Sequence, residues 1–347
     1  MERLPTELMV EIVGCSDKPT IHSFTILSSK YCEIAQPLLF RDITINLMAR
    51  ERLVLFVEQM EHCIKLASMI KLLSIYTELT PELLRRLFAV VSNLERLFMG
   101  HAVANSVLSP HYFPNLRRLH IWPATPEAFY NVVANFIPCH RVLEELKVMY
   151  FTEPYSTRWM PPLTEFVSSG VDRLVTYRGP SGLLPLLTPN SKMKHLISSH
   201  QLDEGTLRKL SNDVAGGLLS LIINDLMDRV KSETLPGPLI PSLFPTLQSI
   251  AWLSLDIQST SVIDQLPHLR RAWFTSRHGG QPSVGVEAFV SKILVFSDKK
   301  ARPLQEIRVF AEDDKPFSRI YSKASSNSPW VLKTNLSIRF IKDSQIG

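Results

Sequence analysis

The sequence predicts an α/β protein: a short all-helical segment at the N-terminus, followed by a long array in which strand and helix alternate as a right-handed, curved solenoid. Three observations carry that expectation. A leucine-rich phrase recurs ten times at a near-constant interval, proline-led amphipathic segments fill two of the intervals, and the first forty-five residues hold short apolar pieces of helical periodicity. The scale of the chain agrees. Its 347 residues, 45% hydrophobic and 20% charged, suffice for a large ordered core. The formal charge of +5, from 38 Lys and Arg against 33 Asp and Glu, is spread in pairs rather than runs, too mild to indicate nucleic acid.

The first element runs from about Pro5 to Val13. Proline suits a first helical turn, and Glu7 favours the positive end of the helix dipole. Leu4, Leu8 and Ile12 recur every four residues on one face, with Met9 and Val13 beside them and Glu7 and Glu11 opposite. A second apolar piece spans Thr20 to Ile26. A third spans Leu27 to Ala35, where Pro37 is expected to end it before Leu38-Leu39-Phe40. The charged and proline positions among residues 1–20 rule out the unbroken apolar stretch of a signal peptide, and no later run approaches bilayer length. The expected location is the cytoplasm or nucleus, and no membrane partner is expected.

These pieces resemble the F-box, a three-helix module. Leu4, Pro5, Glu7, Leu8 and Ile12 match its first helix; Ser29, Lys30, Ile34, Ala35, Pro37, Leu38, Phe40 and Arg41 match its third helix and exit. The resemblance covers residues 1–45. It implies docking on the Skp adaptor, and through it on a cullin, by Leu4, Pro5, Leu8, Ile12 and Leu38. The alternative is that the helices merely cap the array, as repeat proteins require.

Residues 46–67 form the next element, a linking helix whose Leu53, Val57, Met60 and Ile64 make one stripe. From residue 68 to 347 the phrase L-x-x-L-x-L governs. Its clearest copies are Ile70–Ile75, Leu94–Met99, Leu116–Ile121 and Leu143–Val148; weaker ones start at Val171, Met193, Leu218, Leu247, Leu269 and Leu304. Successive starts are 24, 22, 27, 28, 22, 25, 29, 22 and 35 residues apart, and all but the last lie in the leucine-rich-repeat range of about 20 to 29. Between phrases, Leu84, Leu87, Phe88 and Val91 follow Pro81 at helical spacing, as Phe129, Val132, Val133 and Phe136 follow Pro126. One such unit cannot bury its apolar edge alone, so the units must stack. An ordinary α/β sheet with leucine-rich strands is the weaker alternative. Beyond Phe310 the pattern fades into acidic and serine-rich stretches, and Trp330–Ile341 is expected to cap the end.

Catalytic signatures are missing. The sequence has no Walker loop, nucleophile elbow, H-E-x-x-H helix or dinucleotide glycine fingerprint. Cys139-His140 lacks a third orienting group; His111, His120 and His195 fall in different units; and Cys15, Cys32, Cys63 and Cys139 have no metal-binding spacing. No enzyme activity, cofactor or metal is expected. A binding surface is. Alternation along each strand points the residues between the leucines at the concave face, a list that includes Arg96, Phe98, His120 and Lys147. The strongest candidates for holding a protein target are Arg118, Trp122, Tyr177, Arg271 and Trp273, because arginines beside aromatics dominate binding hot spots. With the F-box resemblance, the expected function is substrate recognition in a Skp–cullin–F-box ubiquitin ligase; a leucine-rich-repeat scaffold or ligand-binding protein is the alternative.

Overall fold

The computed structural model describes residues 5–46, 50–77, 79–100, 108, 111–122, 132–148, 171–188, 192–198, 202–214, 217–223, 239–254, 257–276, 291, 293–294, 303–311, 317–323 and 328–337. The protein is mixed α/β. Among these residues no helix is long and apolar enough to cross a membrane. The described chain divides into two compact units, residues 5–148 with 171–174, and residues 175–337.

The first unit begins with three helices, α1 (Thr6–Gly14), α2 (Lys18–Leu27) and α3 (Ser29–Arg41). Asp17 caps α2, its carboxylate accepting from the Thr20 N–H at 3.0 Å, and Ser28 caps α3 through the Tyr31 N–H. Val13, Ile21 and Ala35 form the module's core, with Phe24, Tyr31, Ile34, Leu38 and Leu39 packed against it. That packing corrects the expectation at Pro37, which does not end the third helix. The proline sits inside α3, which continues to Arg41. An interior proline costs about 3 kcal/mol, and the packing of Leu38 and Leu39, the next two residues, against the module's core offsets it.

Five short strands follow in chain order, each parallel to the last: β1 (Asp42–Ile45), β2 (Leu72–Ile75), β3 (Arg96–Met99), β4 (Arg118–Ile121) and β5 (Glu145–Val148). Register is constant, so that Leu73, Leu97, Leu119 and Leu146 stand opposite one another, as do Ile75, Met99, Ile121 and Val148, and all eight are buried. The first letter of each phrase, Ile70, Leu94, Leu116 and Leu143, is buried as well. Helix α4 (Arg50–His62) and helix α6 (Pro81–Val90) flank the array, joined by a two-pronged Arg86–Glu61 ion pair at 2.6 and 2.8 Å. In α4 Leu53, Val57 and Met60 are buried, but Ile64 is 69% exposed. The stripe stops because Cys63 leaves helical geometry (φ −122°, ψ 67°) and a separate turn, α5 (Ile64–Ala67), begins in a new direction and buries Ala67 instead.

The second unit repeats the pattern: β6 (Thr176–Gly179), β7 (His195–Ser198), β8 (Ser220–Ile223), β9 (Ser249–Ser254), β10 (Arg271–Ser276) and β11 (Glu306–Ala311), again parallel and in chain order. Between β9 and β10 the register slips by one residue, since Ala272 faces Ile250 while Phe274 faces Leu253. This bulge explains why LQSIAW is a poor copy of the phrase. Beyond Phe310 the chain adds two antiparallel strands, β12 (Phe317–Ser322) and β13 (Val331–Ser337), where only a fading pattern and a cap were expected.

One column of the repeat escapes the six-letter phrase. In the seven units where the position is described, another buried side chain lies three residues ahead of the first leucine-type residue: Ala67, Val91, Phe113, His140, Val171, Phe244 and Leu266. In six of these units the carbonyl at that position accepts the N–H of the first leucine-type residue, at 2.9 to 3.2 Å, closing the turn that enters the strand. Val171 therefore belongs to this column, and the phrase of its unit starts at Leu174.

Candidate functional site

Two surfaces are candidates, one in each part of the expected architecture. In the N-terminal helices Met9 and Val13 turn inward, and their neighbours one step round α1, Leu8 and Ile12, are each 46% exposed. Val10 on α1, and Ile26 and Leu27 at the end of α2, are exposed too, although the sequence reading passed over them. Pro5 is exposed at the N-cap of α1, its carbonyl accepting the Met9 N–H at 3.1 Å. Leu38 is half-buried against the module's own core, so it offers a partner only an edge. Leu4 lies outside the described residues.

The second surface is the polar face of the strands, built from the first and third residue of each. In the first unit it closes on itself. Arg96 reaches Asp42 at 3.2 Å, and Glu145 collects Lys147 and His120 at 3.0 Å and Arg118 at 3.5 Å. The His120 ring meets Phe98 edge-on, centroids 4.2 Å apart. Hydrogen bonding from His120, reinforced by Lys147, lowers the Glu145 pKa to about 2, while burial keeps the His120 imidazole below its ordinary value.

In the second unit the polar face carries Thr176 and Arg178, His195 and Ile197, Ser220 and Ile222, Ser249 and Ala251, Arg271 and Trp273, then Glu306 and Arg308. Glu306 is occupied. It accepts from Arg308 Nε at 2.8 Å and Trp273 Nε1 at 3.3 Å, with the Arg308 guanidinium 4.6 Å above the Trp273 ring. Arg271 donates to the Ser249 hydroxyl at 2.9 Å.

Of the five proposed target-binding residues, Tyr177 is a correction. It is fully buried, its hydroxyl donates to the Pro180 carbonyl at 2.7 Å, and burial pushes its pKa up. Reading Val171 as the first letter put the phrase out of step, and an odd shift exchanges the two faces of a strand. Nor do the other four share one row. Arg118 and Arg271 take the first strand position and Trp273 the third, while Trp122 follows β4, its N–H donating to the Met99 carbonyl at 3.0 Å. The shift also hid Arg178, which the buried column ahead of each phrase would have brought into view.

The remaining chemistry is structural. Cys139 and His140, adjacent in sequence, use different partners: the thiol donates to the Asn135 carbonyl, while His140 donates from Nδ1 to the Phe136 carbonyl (2.8 Å) and accepts the Phe113 N–H at Nε2 (3.0 Å). A hollow of about 300 Å³ beside helix Glu204–Asp213 is lined by Leu184, Thr188, Asp203, Thr206 and Lys209. Two of its polar groups are already used, Asp203 as helix cap and the Thr188 hydroxyl on Asp213. Among the described residues no three His, Cys, Asp or Glu side chains gather as a metal-binding group. No protein-family model matches this chain, and no curated protein matches it in sequence.

Proposed function

We propose that this chain is the substrate-recognition subunit of a Skp–cullin–F-box ubiquitin ligase, acting in the cytoplasm or nucleus. Residues 1–45 serve as the F-box that docks on the Skp adaptor, and the strand–helix units serve as a leucine-rich-repeat solenoid that holds a protein target. The observation that carries the reading is the split face of α1. Met9 and Val13 are the buried residues of α1, while Leu8 and Ile12 leave a partly exposed apolar stripe beside them that suits a partner. The subunit contributes proximity, not chemistry: it presents a bound target to a ubiquitin-charged enzyme. In a pull-down with purified Skp adaptor the full chain is retained and the Leu8→Asp variant is lost, with circular dichroism unchanged. Equal retention of both proteins defeats the proposal.

A second reading, a repeat scaffold whose helices only cap the array, is favoured by one contact. Lys18 of α2 donates to the Asp42 carbonyl at 2.9 Å, tying the helices to the first strand. The same pull-down separates the two, because a cap has no use for Leu8 at the surface.

A further inference from the structure

The unequal charge balance of the polar face has a binding consequence in the second unit. Among the described residues the guanidinium groups of Arg178, which is half-buried, and Arg271, which is exposed, form no ion pair. Glu306, opposite Arg271 on β11, bonds Arg308 and Trp273 through Oε1 and forms no ion pair with Arg271. Arg178 is on β6 and Arg271 on β10, four strand spacings apart, which at about 4.8 Å each places them about 19 Å from one another. Between them along the third-position row stand Ile197 and Ile222, both half-buried. The first-position row between them holds His195 and the small side chains Ser220 and Ser249.

We infer that this face holds an extended acidic segment of a target protein, with carboxylates at its two ends on Arg178 and Arg271 and apolar side chains between them on Ile197 and Ile222. An extended chain advances about 3.3 Å per residue, so about six residues bridge the two guanidinium groups. Planar, five-donor guanidinium groups match carboxylates in two-pronged fashion and lose less solvation than an ammonium when covered. Charge complementarity selects an anionic occupant, and the isoleucines select a peptide over a nucleic acid. A phosphate backbone calls for a dense series of cations, and here two are separated by apolar side chains. The field agrees: after burial, the positive charges of Arg271 and Lys194 hold the His195 imidazole below its ordinary pKa, and desolvation lowers that of Arg178. The inference rests on the reading of the repeats as the target-holding part.

The test uses the full chain and a fluorescein-labelled nonapeptide with two glutamates at each end and alternating alanine and leucine between them. Fluorescence anisotropy is expected to show binding that weakens with salt. Arg178→Gln and Arg271→Gln are each expected to raise Kd about tenfold, while Arg208→Gln, on a helix and paired with Glu204, leaves it unchanged. Replacing the glutamates by lysines is expected to abolish binding. The inference is overturned if the acidic peptide does not bind, if the two variants bind it as well as the parent, if only a phosphorylated peptide binds, or if an RNA nonamer binds in preference. Skp adaptor binding is scored separately on the same samples. Its loss with peptide binding kept defeats the ligase reading alone, and its retention without peptide binding defeats this inference alone.

Discussion

The two units share one backbone plan and differ in what they do with its free positions. In β1–β5 the cations of the polar face are paired from within: Asp42 holds Arg96, and Glu145 holds Lys147, His120 and Arg118. In β6–β11 the corresponding rows contain Arg178, His195, Arg271 and Arg308 against a single Glu306. Apart from the one-residue slip between β9 and β10, parallel register and the interior columns are the same in both, so the fold does not decide which face is closed. The two residues between the inward letters do, and they change at no cost to the stack.

The comparison breaks first if the scaffolds are unequal. Leu119 and Leu196 take the same interior position in the two units and are both fully buried. Leu119→Ala and Leu196→Ala are each expected to destabilise the protein by about 2 to 5 kcal/mol in urea unfolding, as core truncations do. A loss under about 1 kcal/mol at either site means that unit is not packed as its partner is.

The closed face gives the next largest effect. Glu145→Gln removes the charge that three cationic or imidazole groups share and is expected to cost about 1 to 3 kcal/mol at pH 7. Since folding lowers the Glu145 pKa to about 2, its contribution is complete above the ordinary glutamate value and disappears as pH falls toward 2. The variant should therefore lose less stability than the parent between pH 4.5 and 2.5. Parallel acid limbs would show that Glu145 stabilises nothing.

Much of this plan is legible in the sequence, and the failures have physical causes. The ten phrases are visible because a buried column tolerates only apolar letters, and nine of their ten starts stand where the sequence reading puts them. Val171 misled because its column, three residues upstream, is equally apolar, so two registers satisfy the pattern and only backbone pairing separates them. The helix through Pro37 and the break at Cys63 turn on tertiary packing of Leu38, Leu39 and Ala67, which outweighs local propensity. At the candidate site the arginines and tryptophans were found as residue types, but whether each is already held by a carboxylate depends on neighbours more than 20 residues away, as with Trp273 and Glu306.

A smaller effect separates the units by pH. His140 fills in the first unit a column position that Phe244 and Leu266 fill in the second, and it is 1% exposed. Its Nε2 must stay unprotonated to accept the Phe113 N–H, and the surrounding Phe136, Phe113 and Tyr112 rings carry no charge to favour the imidazolium. Desolvation lowers its pKa, so its contribution is present above the ordinary histidine value of 6.5 and is lost as pH falls below it. Between pH 7 and 5.5 the parent is expected to lose about 1 kcal/mol more than His140→Leu, read as the difference between their urea-unfolding free energies. An identical pH slope would place a counter-charge beside the ring.

The smallest effect is the one most diagnostic of an open face. Arg178 is half-buried, has no carboxylate partner among the described residues, and has a pKa lowered by desolvation, so its guanidinium is held where water would solvate it better. A residue kept for folding would not be left in that state, whereas one kept for a ligand would, since the ligand supplies the missing charge. Arg178→Met retains the length and apolar stem of the side chain and removes the charge. It is expected to raise stability by about 0.5 kcal/mol, within the ordinary range of surface substitutions but opposite in sign to most of them. The matching change in the closed face, Arg96→Met, strips Asp42 of its partner and is expected to lower stability by a similar amount. Opposite signs at two strand positions of the same backbone would show that one face is complete and the other awaits a partner. Destabilisation at both would mean that Arg178 stabilises the fold, and the contrast between the units would reduce to composition.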